Sequence, residues 1–354
     1  MLKEKVTFLG LGGCGSNLAH LFQQKGYNVY FLNGSTQDIS SLAGARNILT
    51  LRNYEGFGGD RKIAERALAN NLELIDELRK IKEEIVFLIF STAGSTGSGL
   101  APIILELMNE IAVEQGIERK VCCIAVLPQK DEPMQKIING YECLKELSEI
   151  TDMGSCILVD NNKANSIERI NVTVVNQLHY FLSDESYSKR GNFDVAERMR
   201  VLKERGVLLL SVVCMSKAKS PEYMQSLLVN NMYAPVENDG VEEYIAVINS
   251  TEDPVNIADI ERAVGTPVNT FIGYGSKKTI TVVSGLSYPV SYLSELLNSA
   301  ERKFQSRMDC RNKVGGKLRE VTFSAVPIVE EKPFKKKLSR LEMLRNLNGK
   351  VTSL

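Results

Sequence analysis

Apolar runs of strand length recur through the first 160 residues, at 6–9, 29–32, 85–90, 121–127 and 155–159. Amphipathic stretches separate them. Leu18, Ala19, Leu21 and Phe22 recur at helical spacing, and 63–81 and 100–113 mix charged with apolar positions as helices do. Within 129–150, Met134, Ile137, Ile138, Tyr141, Leu144 and Leu147 fall on one helical face. Strands alternating with helices predict a doubly wound parallel sheet, an α/β nucleotide-domain architecture over 1–163. A longer helix follows at 164–183, striped by Ile167, Ile170, Val174, Leu178 and Phe181; with its linker it occupies 164–190. Beyond it, 191–330 reads as a second, α+β domain. Its strands are predicted at 207–214, 244–248, 270–274, 279–284 and 320–326, its helices at 221–232, 254–264 and 289–304.

The turns carry the chemistry. Three glycine-rich segments, 10–17, 54–61 and 93–99, each follow a predicted strand or precede a predicted helix. Loops at the carboxyl ends of parallel strands share one crevice. Glycine lets backbone approach a ligand, and a helix N-terminus favours an anion. The segment Ala93-Gly94-Ser95-Thr96-Gly97-Ser98-Gly99 reads as a phosphate cradle without a lysine, with positive φ expected at Gly94, Gly97 and Gly99. No Gly-Lys-Ser/Thr follows any glycine loop, which disfavours a Walker-type nucleotidase. The first loop, Gly10 to Asn17, imitates a dinucleotide fingerprint, and taken alone a tight turn explains it equally well. A dehydrogenase would place an acid at the end of the second strand; here Asn33 stands there and Asp38 is the next acid. Asn161, Asn162 and Asn171 offer the donor–acceptor pairs that suit a nucleobase edge, although a capping or solvated asparagine explains each locally. Asp194 and Glu197 share a face if a helix starts there, and could orient a water or hold a cation; local sequence favours ordinary N-terminal helix charge.

Composition narrows the class. Hydrophobic residues make up 44% and charged residues 24%, ordinary values for a packed protein. Formal net charge is zero, so no global field draws the chain to nucleic acid. Seven cysteines without a Cys-x-x-Cys pair, several of them in apolar runs, suggest reduced thiols and a cytoplasmic location. Two histidines without ligand spacing argue against structural zinc, and no run is long enough for a membrane span. Residues 331–354 stand apart as a basic tail: from 332 on, seven bases face one acid, a net +6, with leucines every third position from Leu338 to Leu347. It reads either as a solvated tail or as a docking segment for a partner.

Together these motifs resemble the tubulin/FtsZ superfamily. Its first loop, GxGGxGxN, is matched in full by Gly10 to Asn17. Its signature, GGGTG[ST]G, is matched by 93–99 with Ala93 and Ser95 in place of glycines, and NTDAQ by Asn33 and Gln37. Its catalytic NxDxxD resembles Asn192-Phe193-Asp194-Val195-Ala196-Glu197, with glutamate as the second acid. Within the superfamily the degenerate signature, short N-terminus and basic tail are similar to TubZ, the plasmid and phage partition branch.

The resemblance implies a GTPase that polymerises head to tail and segregates DNA. GTP or GDP would lie against Gly12, Gly13, Cys14, Asn17, Asn33, Gln37, Gly58, Gly59, Gly94, Ser95, Thr96, Gly97 and Ser98, with Asn17, Asn161 and Asn171 reading guanine. Mg2+ would bind phosphate oxygens and water, with Gln37 the one side chain near it. Asp194, Glu197 and Asn192 would act on the nucleotide of the next subunit. The implied partners are the chain itself and, through 332–354, a DNA-bound adaptor of the TubR type, without direct sequence-specific DNA binding. The alternatives are a division-type FtsZ scaffold and an NAD-dependent Rossmann oxidoreductase.

Overall fold

The structure, a computed structural model, describes residues 2–185, 187–213, 231–237, 244–250 and 255–314. A short 3-10 turn, Leu2–Lys5, leads into β1 (Val6–Leu11), α1 (Gly12–Gln24), β2 (Asn28–Asn33), α2 (Thr36–Ser40) and β3 (Ile48–Thr50). Then come α3 (Arg61–Ala69), α4 (Leu74–Leu78), β4 (Ile85–Ser91), α5 (Ser95–Gln115), β5 (Lys120–Leu127), α6 (Met134–Glu149) and β6 (Ser155–Asp160). The remaining elements are α7 (Ile167–Ser183), α8 (Val195–Lys203), β7 (Gly206–Val213), β8 (Tyr244–Ser250), α9 (Ile257–Val264), β9 (Asn269–Ser276), β10 (Thr279–Leu286) and α10 (Val290–Val314).

One ten-stranded sheet runs through all of this in the order β3-β2-β1-β4-β5-β6-β7-β10-β8-β9. From β3 to β7 every neighbour is parallel; β10 then pairs antiparallel with both β7 and β8, and β9 is parallel to β8. β1 and β6 are buried along their whole length, as strands covered by helices on both faces must be. Phe8 of β1 stacks on Phe22 of α1 at 3.8 Å and on Phe87 of β4 at 5.4 Å, which fastens the first helix to the centre of the sheet. The chain leaves β1 toward β2 on one side and returns to β4 on the other. The order therefore reverses at β1, and the crevice at the carboxyl ends of β1 and β4 is the switch point where open α/β sheets bind ligands.

Several sequence expectations are revised. The helix expected over 63–81 is two, α3 and α4, because the buried Asn71 turns the chain: its carboxamide accepts from Arg52 N at 2.8 Å and donates to Ala67 O at 2.8 Å. The helix expected from 129 starts at Met134, since Pro133 holds extended backbone at its N-cap and disfavours helix in the residue before it. The helix expected over 289–304 continues to Val314. The three-residue β3 was too short to be read as a strand. The elements expected at 221–232 and 320–326, the start of that at 254–264, and the tail 332–354 lie outside the described residues.

Candidate functional site

The first and signature loops meet at the switch point. A Cβ built on Gly12, whose φ is +70°, would lie 3.0 Å from the Thr96 Cβ and 3.5 Å from the Gly97 nitrogen. α1 begins after Leu11 and α5 after Gly94, and neither N-cap makes a side-chain hydrogen bond. The helices α3, α7, α8 and α9 are capped by Asp60, Ser166, Asp194 and Asn256, whereas α4 and α6, which start after Glu73 and Pro133, also lack a side-chain cap. Two long helices thus present uncapped first turns side by side, the arrangement that receives an anion. The Cys14 thiol, half-buried in the first turn of α1, is pushed up to about 12 by burial and then by the Glu132 charge. It stays a neutral thiol beside the crevice.

The positive φ expected at Gly94, Gly97 and Gly99 is not found. Gly94 has φ −75° and ψ 165°, and the other two lie inside α5. They are glycine for want of space: a Cβ on Gly97 would lie 2.8 Å from the Phe90 Cβ, and one on Gly99 would lie 2.7 Å from the Arg61 carbonyl oxygen. The left-handed glycines of the site are Gly12 and, in the middle loop, Gly56, Gly58 and Gly59.

Two features missed in the sequence hold these loops. Pro102 sits in the second turn of α5 and has no N–H to give the Ser98 carbonyl. The buried Arg61 guanidinium takes that carbonyl instead, through Nη2 at 2.9 Å and Nε at 3.2 Å, and pairs with Glu142 and Glu146 of α6. A proline inside a helical pattern was the available signal. Asn139 of α6 is also buried, and donates to Gly59 O at 3.0 Å and Ala93 O at 3.3 Å. Nothing in the local sequence marks it.

At the other end of the crevice, Asn161 follows β6 and Asn171 stands on α7, which packs against α1. The amide oxygens of both are buried without a hydrogen-bond partner, as is the Ser16 hydroxyl of α1. Each leaves an acceptor that a base edge could fill, although the amide oxygens of Asn109 and Gln115 on α5 are unpartnered as well. Asn162 is not part of this set; its amide is occupied by Asp160, Pro128 O and Lys130 N, and it fixes the loop that carries Asn161. Asn17 is exposed on α1. Asn33 is buried and donates to the Asp38 carboxylate at 2.9 Å; that carboxylate lies 3.2 Å from where a Cβ on Gly13 would be. Gln37 is exposed on α2. Among the described residues no three His, Cys, Asp or Glu form a metal cluster. A divalent cation here would depend on phosphate and water oxygens, with Asp38 at its edge.

Asn192, Asp194 and Glu197 are elsewhere. Asp194 caps α8: it accepts from Glu197 N at 2.9 Å while the Glu197 carboxylate accepts from Asp194 N at 3.0 Å, a capping box. The buried Arg198 anchors the loop to the end of α7, donating to Phe181 O at 2.8 Å and to Asp184 at 3.2 Å. Asn192 and Asp194 line a cavity of ≈ 390 Å³ together with Leu2 and Lys3. Leu2 and Lys3 precede β1, whereas the phosphate loop follows it. The carboxylates therefore sit at the amino end of the strand whose carboxyl end opens the crevice. They also follow the 17-residue α7, about 25 Å long, whose first turns hold Asn171. The structure separates the two groups rather than joining them.

Residues 5–169 match the family model described as Tubulin/FtsZ family, GTPase domain. The chain is 26% identical over 331 residues to the tubulin-like protein TubZ of Clostridium botulinum C phage, spanning 88% of this chain and 87% of that one. Among solved structures, the tail-truncated TubZ of Clostridium botulinum phage c-st superimposes with a TM-score of 0.77 at 25% identity, over 87% of this chain and all of that one. A GTPγS-form protofilament of Bacillus thuringiensis serovar israelensis TubZ gives a TM-score of 0.73 at 16% identity, over 87% and 95% of the two chains, a likeness of fold alone. No helix among the described residues is long and apolar enough to cross a membrane.

Proposed function

From a chain whose residues 5–169 match the GTPase domain of the Tubulin/FtsZ family and whose fold superimposes on TubZ over 87% of its length, we propose that it polymerises head to tail, each subunit completing the GTP site of its neighbour. The observation that carries this is the division of the site between the two ends of β1 and α7. One chain cannot bring Asp194 to its own crevice across that distance, but a second copy stacked along the same axis can. Such a contact is heterologous and does not close, so it builds a filament.

Within the composite site, the uncapped N-termini of α1 and α5 hold the phosphates through backbone N–H groups. Asn161 and Asn171 offer acceptors to the donor-rich edge of guanine. Magnesium, when bound, neutralises phosphate charge. Asp194 and Glu197 of the neighbour orient the attacking water and accept its proton, a contribution of charge and position rather than covalent chemistry. Asn33 lies buried against Asp38 where a dinucleotide enzyme would need a free acid for ribose, which sets the oxidoreductase reading aside.

Replacing Asn171 by alanine is expected to weaken GTP binding about tenfold, the worth of one hydrogen bond to a buried base, and to narrow the preference over ATP. Titration calorimetry with both nucleotides checks it; equal losses for GTP and ATP would contradict the base-reading role. The similarity to a phage TubZ further supports segregation of plasmid or phage DNA, rather than septum formation, through a DNA-bound adaptor that engages the basic tail. Adaptor–DNA captured equally well by a chain ending at Glu331 and by the full chain would refute that role of the tail.

A further inference from the structure

We infer that Tyr292 is a positioning residue for guanine recognition, acting through the buried Asp160 carboxylate to hold the turn that presents Asn161. The inference rests on the guanine reading of Asn161 above and goes beyond it to a residue on α10.

Asp160 ends β6 and is fully buried. A carboxylate taken out of water is tolerated only when hydrogen bonds fill its lone pairs. Here they arrive from two directions. Asn162 donates to Oδ1 through its backbone nitrogen at 2.9 Å and through Nδ2 at 2.7 Å. The Tyr292 hydroxyl, from the first turn of α10, donates to Oδ2 at 2.7 Å. The carboxylate therefore bridges the loop after β6 to a helix 132 residues further along the chain.

That bridge encloses Asn161. Lys163 N returns to Asp160 O at 3.1 Å, so residues 160–163 form a turn with Asn161 and Asn162 at its centre. The Asp160 side chain spans Asn161 to reach the Asn162 nitrogen, an Asx turn that fixes the backbone on both sides of Asn161. The Asn162 carboxamide moors the turn to the loop after β5, donating to Pro128 O at 3.1 Å and accepting from Lys130 N at 2.8 Å. Within the turn, Asn161 keeps a buried amide oxygen free for a base edge. Its direction is set by the turn, and the turn is set by the carboxylate that Tyr292 holds. Lys130 Nζ also lies over the Tyr292 ring, 5.6 Å from its centroid. Phenylalanine keeps that ring and deletes the hydroxyl.

The test is equilibrium binding of GDP and ADP to the full chain, to Tyr292→Phe, to Asn161→Ala and to the double variant, with thermal melting alongside. Asn161→Ala should weaken GDP binding about tenfold. Tyr292→Phe should weaken GDP about fivefold and ADP about twofold or less. Once Asn161 is alanine, Tyr292→Phe should cost about twofold or less, because residues that act through one another are not additive. Asp160→Asn keeps the shape of the side chain but leaves a single accepting oxygen. It should narrow the preference for GDP over ADP in the same direction, which keeps the test valid if Tyr292→Phe does not fold. A folded Tyr292→Phe chain with unchanged GDP affinity, or an equal loss of GDP in both backgrounds, would overturn the inference and leave the guanine reading standing. Unchanged GDP affinity in folded Asn161→Ala would overturn both.

Discussion

The two ends of the parallel sheet solve opposite problems. At the carboxyl ends, the site is built from what is left out: no side-chain caps on α1 and α5, no side chains on Gly12, Gly13 and Gly97, and no partners for the Asn161 and Asn171 amide oxygens. At the amino ends, Asn192, Asp194 and Glu197 stand on a loop whose bonds are satisfied. Arg198 is buried beneath it and the two carboxylates cap their own helix. The first end lacks a ligand and the second end is complete as a fold, so a structural role can account for all that is seen there. A receptive surface and a self-sufficient one at opposite poles are what a head-to-tail assembly requires, and substitutions can separate the two roles of the second pole.

The largest effect is expected at Asp194. Asparagine caps helices about as well as aspartate, so Asp194→Asn should fold and melt like the unaltered chain and still bind GTP. Its turnover should fall at least ~100-fold, the scale of losing a positioned acid–base group. Retained turnover with retained stability would reduce Asp194 to a cap. A smaller effect separates two glycines of the signature loop. Gly97→Ala drives a methyl against Phe90 and the Ser91 carbonyl and should cost about 1–3 kcal/mol in denaturant unfolding. Gly94→Ala meets nothing within 4 Å at an ordinary φ and should change stability by about 0.5 kcal/mol or less. Equal costs would mean that the loop is glycine-rich for flexibility rather than for close packing.

Much of the first pole was legible in the sequence, because close backbone approach demands glycine and leaves a pattern. The strand–loop–helix order brought the loops 10–17 and 93–99 to one crevice, and the family resemblance singled out Gly12, Thr96 and Gly97 within them. What could not be read was the reason for each glycine: whether Gly97 turns the chain or merely makes room depends on Phe90, Ser91 and Leu11 from neighbouring elements. Asn162 and Asn161 are adjacent and chemically identical, and only the fold assigns one to Pro128 and Asp160 and leaves the other free. Asn139 left no local trace, since its two partners are 80 and 46 residues away. Asp194 and Glu197 were legible as helix-start charge and as candidate acids; the structure makes them a capping box and leaves the second reading untested. The short β3 and the break at Asn71 escaped for the same reason, being decided by contacts across the sheet edge rather than by local pattern.

GTP turnover per subunit, followed against protein concentration with light scattering on the same samples, addresses the divided site directly. If each crevice is completed by the Asp194 of another copy, specific activity should be low in dilute samples and rise steeply at the concentration where scattering appears. Specific activity that is constant across the range, including samples with no scattering, would contradict the account, because a single chain would then be completing its own site.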